Sequence, residues 1–183
     1  MEVKIIGKTK YSEPDNAKRK LKLLRTQYKT AEWFAGRYIV INDKNDCFVV
    51  GTREFELHGV LKIKAIDDFL IVIRNENLSV FNDKFKHIYS YDSLFARHAV
   101  FNGAGRIYGY LYMIAFRQLR ILDKRGKEVL PDKTVLLGEF DLRENECVVP
   151  IIYSDDTPDT ITIRSNGTIR TSKKPIRFNG TES

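Results

Sequence analysis

From Arg37 to about Thr171 the chain is broken every few residues by turn formers, so no long helix can run through it. The runs between the breaks are short, apolar and rich in β-branched and aromatic residues, the composition of strands. "VLKIKAI", "FLIVIR", "LSVFND" and "KFKHIYSYD" form one set of four. "HAVF", "GYLYMIAF", "LRILD" and "KEVL" form a second, and "VLLGEF", "CVVPIIY", "TITIR" and "TIRT" a third. Their first strands begin near Leu61, His98 and Val135, a period of 37 residues. A fainter earlier copy reads "RYIVIND", "CFVVGT" and "REFEL", its fourth strand missing or supplied by residues 2–6. Asn166-Gly167 and the "DKRG" of Asp123 to Gly126 are hairpin turns, because both place residues that tolerate positive φ between alternating runs.

Four antiparallel strands in each repeat of roughly 35–45 residues is the sequence trace of a propeller blade. The stretch "AVFNGAGRIYGYLYM", followed by "LRILDKRGKEV", resembles β-propeller repeats in general. It has an apolar strand, a Gly turn, a second apolar strand, and a strand ending in Asp before another Gly turn. The resemblance spans about Val60 to Ser172 and lacks the GH…WD pair of WD40 blades. It implies a small propeller-like body. Three and a half to four copies make a minimal ring, so a hairpin array, barrel or sandwich stays open, as does a ring completed by a second chain.

Ahead of this body the period changes. Ala17, Leu21, Leu24, Tyr28, Ala31 and Ala35 recur at alternating spacings of four and three, widened by Leu23 and Phe34. That spacing predicts one amphipathic helix, started by the capping-box pair Ser12 and Asp15 around Pro14 and ended by Gly36 as C-cap. With a short strand at Val3 to Ile6, the expected organisation is an N-terminal strand and basic helix over 1–36, a mainly β body over 37–171, and a basic C-terminal tail over 172–183.

The chain holds 43% hydrophobic residues and 30% charged ones, enough apolar area for a real core on a soluble protein. Its longest apolar run, "YGYLYMIAF", is far shorter than the roughly 18–20 residues that span a bilayer. "MEVKIIGKTK" has neither a hydrophobic core segment nor a small-residue cleavage site, so no signal peptide is expected. Cys47 and Cys147 are a hundred residues apart, outside any zinc-ligand spacing, and read as two buried thiols in a reducing, cytoplasmic setting. The Lys, Asn, Ile and Tyr usage suits a low-GC genome, a virus being one such source.

Several chemistries fail on context. Gly103, Gly105 and Gly109 follow an apolar run and precede Asp123, as in a dinucleotide-binding loop. What comes next is "YLYMIAFRQLRILD", strand-forming residues with turns too soon for a crossover helix. His58, His87 and His98 share no metal-binding spacing. No nucleophile elbow, Walker loop or HExxH is present. Glu54 and Glu56 near Lys62 and Lys64 leave a metal-dependent nuclease as one alternative. No cofactor is expected.

Charge carries the functional expectation. The net charge is +7, with ten Lys/Arg against four Asp/Glu in residues 1–40, sixteen against nineteen in 41–160, and five against one in 161–183. Basic ends on a slightly acidic body suggest arms that meet an anionic partner. The helix places Lys18, Arg19, Lys22, Arg25 and Lys29 toward solvent, and the tail adds Lys173, Lys174 and Arg177. The expected function is non-enzymatic binding of nucleic acid or a nucleoprotein assembly through these segments. The alternatives are a scaffold subunit or regulator docking an acidic protein partner, as part of an oligomer or larger assembly, and the nuclease. The small alanines on the helix's apolar face argue against membrane insertion.

Overall fold

The computed structural model describes residues 5–75, 77–92 and 103–172. Over these residues the fold is mainly β, with sheets of largely antiparallel strands and one α-helix. In chain order the elements begin with β1 (Ile5–Ile6), α1 (Asp15–Gln27), β2 (Thr30–Phe34), β3 (Arg37–Ile41), β4 (Cys47–Val49) and β5 (Glu56–Leu57). Then come β6 (Lys62–Ile66), β7 (Phe69–Arg74), β8 (Asn77–Asn82), β9 (His87–Asp92), β10 (Ala104–Ile107), β11 (Tyr110–Ala115) and β12 (Gln118–Leu122). The last are β13 (Val135–Leu136), β14 (Asp141–Arg143), β15 (Glu146–Ile152), β16 (Pro158–Arg164) and β17 (Ile169–Thr171). The chain divides into two compact units, one formed by residues 9–98 and the other by 1–8 with 99–183.

In the 9–98 unit, β2-β3-β4-β5 and β6-β7-β8-β9 are two four-stranded antiparallel meanders. They bury a shared core that includes Phe34, Ile39, Ile41 and Val49 from the first and Ile63, Leu70, Val72 and Phe81 from the second. The opposite face of the first meander is covered by α1, whose Leu21 and Leu24 pack with Ala31 and Val40. With both faces covered, Ile39, Val40 and Ile41 are consecutive and all buried, where a half-solvated strand would alternate. The segment before α1 is tied to the second meander by two hairpin carboxylates. Asp67 accepts from the backbone N–H groups of Lys10 and Tyr11 at 3.0 and 2.8 Å, and Asp83 accepts from Lys10 Nζ at 2.5 Å and Tyr11 OH at 2.8 Å.

In the other unit one nine-stranded sheet runs β1-β10-β11-β12-β13-β15-β16-β17, with β14 also on β15. β1 joins β10 in parallel, Ile5 opposite Arg106. β13 bridges two hairpin sets, Val135 facing Gln118 on one side and Ile152 on the other. The core gathers Tyr112, Leu119 and Ile121 from the first set with Val149, Ile151, Ile161 and Ile163 from the second.

Register exposes a repeat finer than the one expected. Every β10–β11 and β11–β12 pair repeats a β6–β7 or β7–β8 pair 41 positions earlier: Ala65↔Leu70 becomes Arg106↔Leu111, and Val72↔Ser79 becomes Met113↔Arg120. Every β2–β3 pair reappears 40 positions later in β7–β8, Phe34↔Arg37 becoming Arg74↔Asn77. Matching turns fix the register. Ala35, Asn75 and Phe116 begin equivalent hairpin turns with φ of 50°, 45° and 51°. Asn42, Asn82 and Asp123 each turn a side-chain oxygen onto the N–H groups two and four residues on, at 2.9–3.0 Å. The residues three places on, Asn45, Phe85 and Gly126, all take left-handed φ. The period is therefore 40–41 residues. The spacing of 37 depends on aligning Leu61 and Val135 with His98, which lies outside the described residues.

Other boundaries also shift. The helix stops at Gln27, with Tyr28 already extended at φ −123° and ψ 155°. Residues 30–34 form β2, the fourth strand expected to be missing or supplied by residues 2–6, and Ala35-Gly36 is a hairpin turn rather than a helix cap. The N-cap is Pro14 with no side-chain hydrogen bond, so the Ser12 capping box is not formed. "AGRI", expected to be a turn, is β10; "HAVF" falls outside the described residues. "KEVL" contributes one bridge, Glu128 to Leu122, and "VLLGEF" only β13 at its start, β14 lying beyond it.

Candidate basic interface on helix α1

The outer face of α1 exists because its inner face is fixed. Ala17, Leu21 and Leu24 are 0–5% exposed and set the rotation of the helix about its axis. At 100° per residue the directions opposite them fall to Arg19, Lys22, Leu23 and Thr26, flanked by Lys18 and Arg25 on one side and Lys20 on the other. Asp15 in the first turn and Arg25 in the last agree with the helix dipole.

The five helix-segment cations expected at the surface are all exposed, but they are not equivalent. Arg25 leans back, its Nε donating to the Ala31 carbonyl at 3.3 Å. Beside it burial pushes the Glu32 carboxyl up, against the pull of Arg25 and Lys64. Lys29 lies beyond the helix and donates to Asn45 Oδ1 at 3.0 Å. Lys18 keeps a long, wet pairing of 3.8 Å with Asp15, an interaction of little energetic weight. Arg19 and Lys22 have no hydrogen bond or ion pair among the described residues. The outward cationic surface is thus Lys18, only weakly held by Asp15, with Arg19 and Lys22, one turn of helix wide, and Leu23 beside them is 59% exposed. Lys173, Lys174 and Arg177 lie outside the described residues.

Lys20 is the member that sequence reading passed over. Its ammonium sits 4.6 Å from the centroid of the Tyr38 ring, which meets Trp33 edge-on at 5.1 Å. The pairing follows from β2 and β3 lying beneath the helix with Trp33 opposite Tyr38. No spacing within the helix could have signalled it.

The catalytic alternatives gain little geometry. Glu54 precedes β5 and pairs with Arg37 at 2.6 Å, whereas Glu56 lies within β5, so the two share no strand. Among the described residues no group of three or more His, Cys, Asp or Glu converges to hold a metal. Gly103, Gly105 and Gly109 enter a β hairpin with no following helix. A Cβ on Gly103 would meet the Ile114 carbonyl oxygen at 2.4 Å, which is why that position carries none. His58 pairs with Asp46 at 2.7 Å on the surface. Both cysteines are free and buried, burial pushing Cys47 up to about 12 and Cys147 to about 11, so neither is a ready nucleophile. No helix among the described residues is long and apolar enough to cross a membrane.

No family model matches the chain, and no curated protein matches it. Among solved structures it is similar to the N-terminal domain of Nup159, at 15% identity and a TM-score of 0.36, covering 74% of this chain and 40% of that one. It is also similar to a europium-containing methanol dehydrogenase, at 14% identity and a TM-score of 0.30, covering 64% and 25%. The chain spans less than half the length of either. Neither likeness is close enough to argue from.

Proposed function

We propose that the protein is a non-enzymatic interaction module of propeller-like repeats that binds the phosphate backbone of nucleic acid, bare or in a nucleoprotein assembly, through the outer face of α1. The observation that carries this reading is the rigid display of Lys18, Arg19 and Lys22 on a helix whose opposite face is locked into the core. Arg25 and Lys29 extend the same charge, and Lys173, Lys174 and Arg177 add basic charge in the C-terminal sequence. Phosphate binding by such cations releases condensed counterions, so affinity falls steeply with salt. Leu23, exposed among the cations, favours a second reading in which an acidic protein surface with an apolar centre is the partner.

Fluorescence anisotropy with labelled single-stranded and duplex oligonucleotides, across a salt series, tests the first reading. Binding is expected, and replacing Lys18, Arg19 and Lys22 together by Ala should lower the slope of log K against log salt by about 0.7–0.9 for each phosphate that is no longer neutralised. No binding at low salt, or a slope unmoved by the triple variant, overturns the nucleic-acid reading. Leu23→Ala should leave oligonucleotide binding unchanged; no oligonucleotide binding, together with binding of an acidic peptide that Leu23→Ala weakens, would favour the protein-partner reading.

A further inference from the structure

A second basic site lies in the other unit, away from any residue of α1 in sequence. A cleft of about 510 Å³ opens where the β10–β11 turn, the β16–β17 turn and the residues after β1 converge. Lys8, Arg106, Tyr108, Lys124, Ser165 and Asn166 line it, and no Asp or Glu among the described residues does. The volume is within the range of small-ligand sites, roughly 300–1,000 Å³.

The walls are built rather than incidental. Arg106 is 8% exposed and donates from Nη1 to the Lys8 carbonyl at 2.7 Å, fixing the segment that carries Lys8. Tyr108 N–H bonds the Ile6 carbonyl at 2.7 Å, and Tyr110 OH bonds the Gly167 carbonyl at 2.6 Å, tying the two turns together. Backbone comes close in two places. A Cβ on Gly7, whose φ is +104°, would press on the Tyr108 ring at 2.9 Å, and one on Gly109 would meet Lys124 Cε at 3.3 Å. The second approach shows the Lys124 stem lying along Gly109 at the cleft.

The free hydrogen-bonding capacity here is donor-rich. Lys8 Nζ and Lys124 Nζ carry no hydrogen bond or ion pair among the described residues. Asn166 spends its Oδ1 accepting from Thr168 N–H and Oγ1, at 3.0 and 2.7 Å, which leaves its amide N–H groups as donors. Ser165 Oγ also has no partner among the described residues. The nearest acid in sequence, Asp123, turns Oδ1 onto its own hairpin N–H groups at 2.9 Å. Two ammonium groups unmatched among the described residues, with neutral donors around one cleft, suit a compact multivalent oxyanion.

We propose that this cleft binds a phosphoryl group. The group is carried either by a free small molecule such as a nucleotide or by a nucleic-acid strand, both offering the same oxygens to Lys8, Lys124, Ser165 and Asn166. The sequence hid the site because Lys8 and Lys124 are 116 residues apart, and its one local trace was the glycine-rich "GAGRIYG".

Calorimetric titration of the full chain with pyrophosphate and with a nucleoside diphosphate, beside anisotropy with an oligonucleotide, tests this. Saturable binding is expected, weakened about ten-fold or more by Lys8→Glu or Lys124→Glu singly and untouched by Lys133→Glu. The two informative variants change exposed side chains, so folding is preserved and can be checked by circular dichroism. Binding of pyrophosphate and the nucleotide identifies a free phosphorylated ligand. Binding of the oligonucleotide alone, sensitive to the same two variants, identifies a strand. No saturable binding by any probe, or binding indifferent to both variants, overturns the proposal. The α1 triple variant should leave pyrophosphate binding unchanged, which separates this site from the helix.

Discussion

Ser79 and Arg120 occupy the same place in two copies of one hairpin, 41 residues apart and each at the corresponding register position. Both are buried, at 1% and 5% exposure. Ser79 needs one small arrangement, its Oγ donating to Asn77 Oδ1 at 2.8 Å. Arg120 needs a local ionic cluster, with Glu128 against it and Asp132 at 3.1 Å. The difference teaches that turn chemistry and apolar alternation hold the repeat, while the polar occupant within it is free to vary if its partners come along. Glu128 and Asp132 come from the stretch between β12 and β13, which joins β12 by the Leu122–Glu128 bridge.

The comparison breaks most sharply at the shared apolar positions. Leu70 and Leu111 are equivalent and 0% exposed, and Leu→Ala at either should cost about 2–5 kcal/mol. Urea unfolding of the two variants measures this; a cost below that range at one site would show that the two copies are not equally packed. Glu128→Ala should cost about 2–3 kcal/mol, since it removes a charged hydrogen-bond partner of a buried Arg120. Ser79→Ala should cost only about 1 kcal/mol. Equal losses would defeat the contrast between the two occupants.

Smaller still are two pH effects of opposite sign in the 9–98 unit. Burial pushes Asp83 up, but the hydrogen bonds from Lys10 and Tyr11 prevail and hold its pKa below the ordinary 3.8. Its stabilisation is therefore full above that ordinary value and is lost as pH falls through the lowered one. The Asp46 hydrogen bond raises His58 above its ordinary 6.5, so that pair stabilises below 6.5 and fades as pH rises through the raised value. Asp83→Asn should flatten the acid side of a stability–pH curve and His58→Gln the alkaline side. A curve unchanged by either would show that the surface pairing is energetically silent.

Much of this was legible without coordinates. Alternating apolar residues and Asn, Asp or Gly breaks specified the strands β6–β9, β11–β12 and β15–β17, because period two and turn conformation are local properties. Ala17, Leu21 and Leu24 likewise specified the inner face of α1. Ala31, Phe34 and Ala35 misled because their spacing also fits a helix. Tertiary pairing decided otherwise: Thr30, Trp33 and Phe34 gain a full ladder with β3 across the Ala35-Gly36 turn.

The amino-acid order by itself determined the strand grammar, the two-faced helix and the segregation of basic charge. Only the tertiary structure decided which of those charges are free. Arg25 and Lys29 bond back onto their own unit and Lys20 lies over Tyr38, whereas Lys18, Arg19 and Lys22 face outward. It also brought Lys8 and Lys124 to one cleft. Charge is written residue by residue, but its neutralisation depends on which distant oxygens the folded backbone places within a few ångströms.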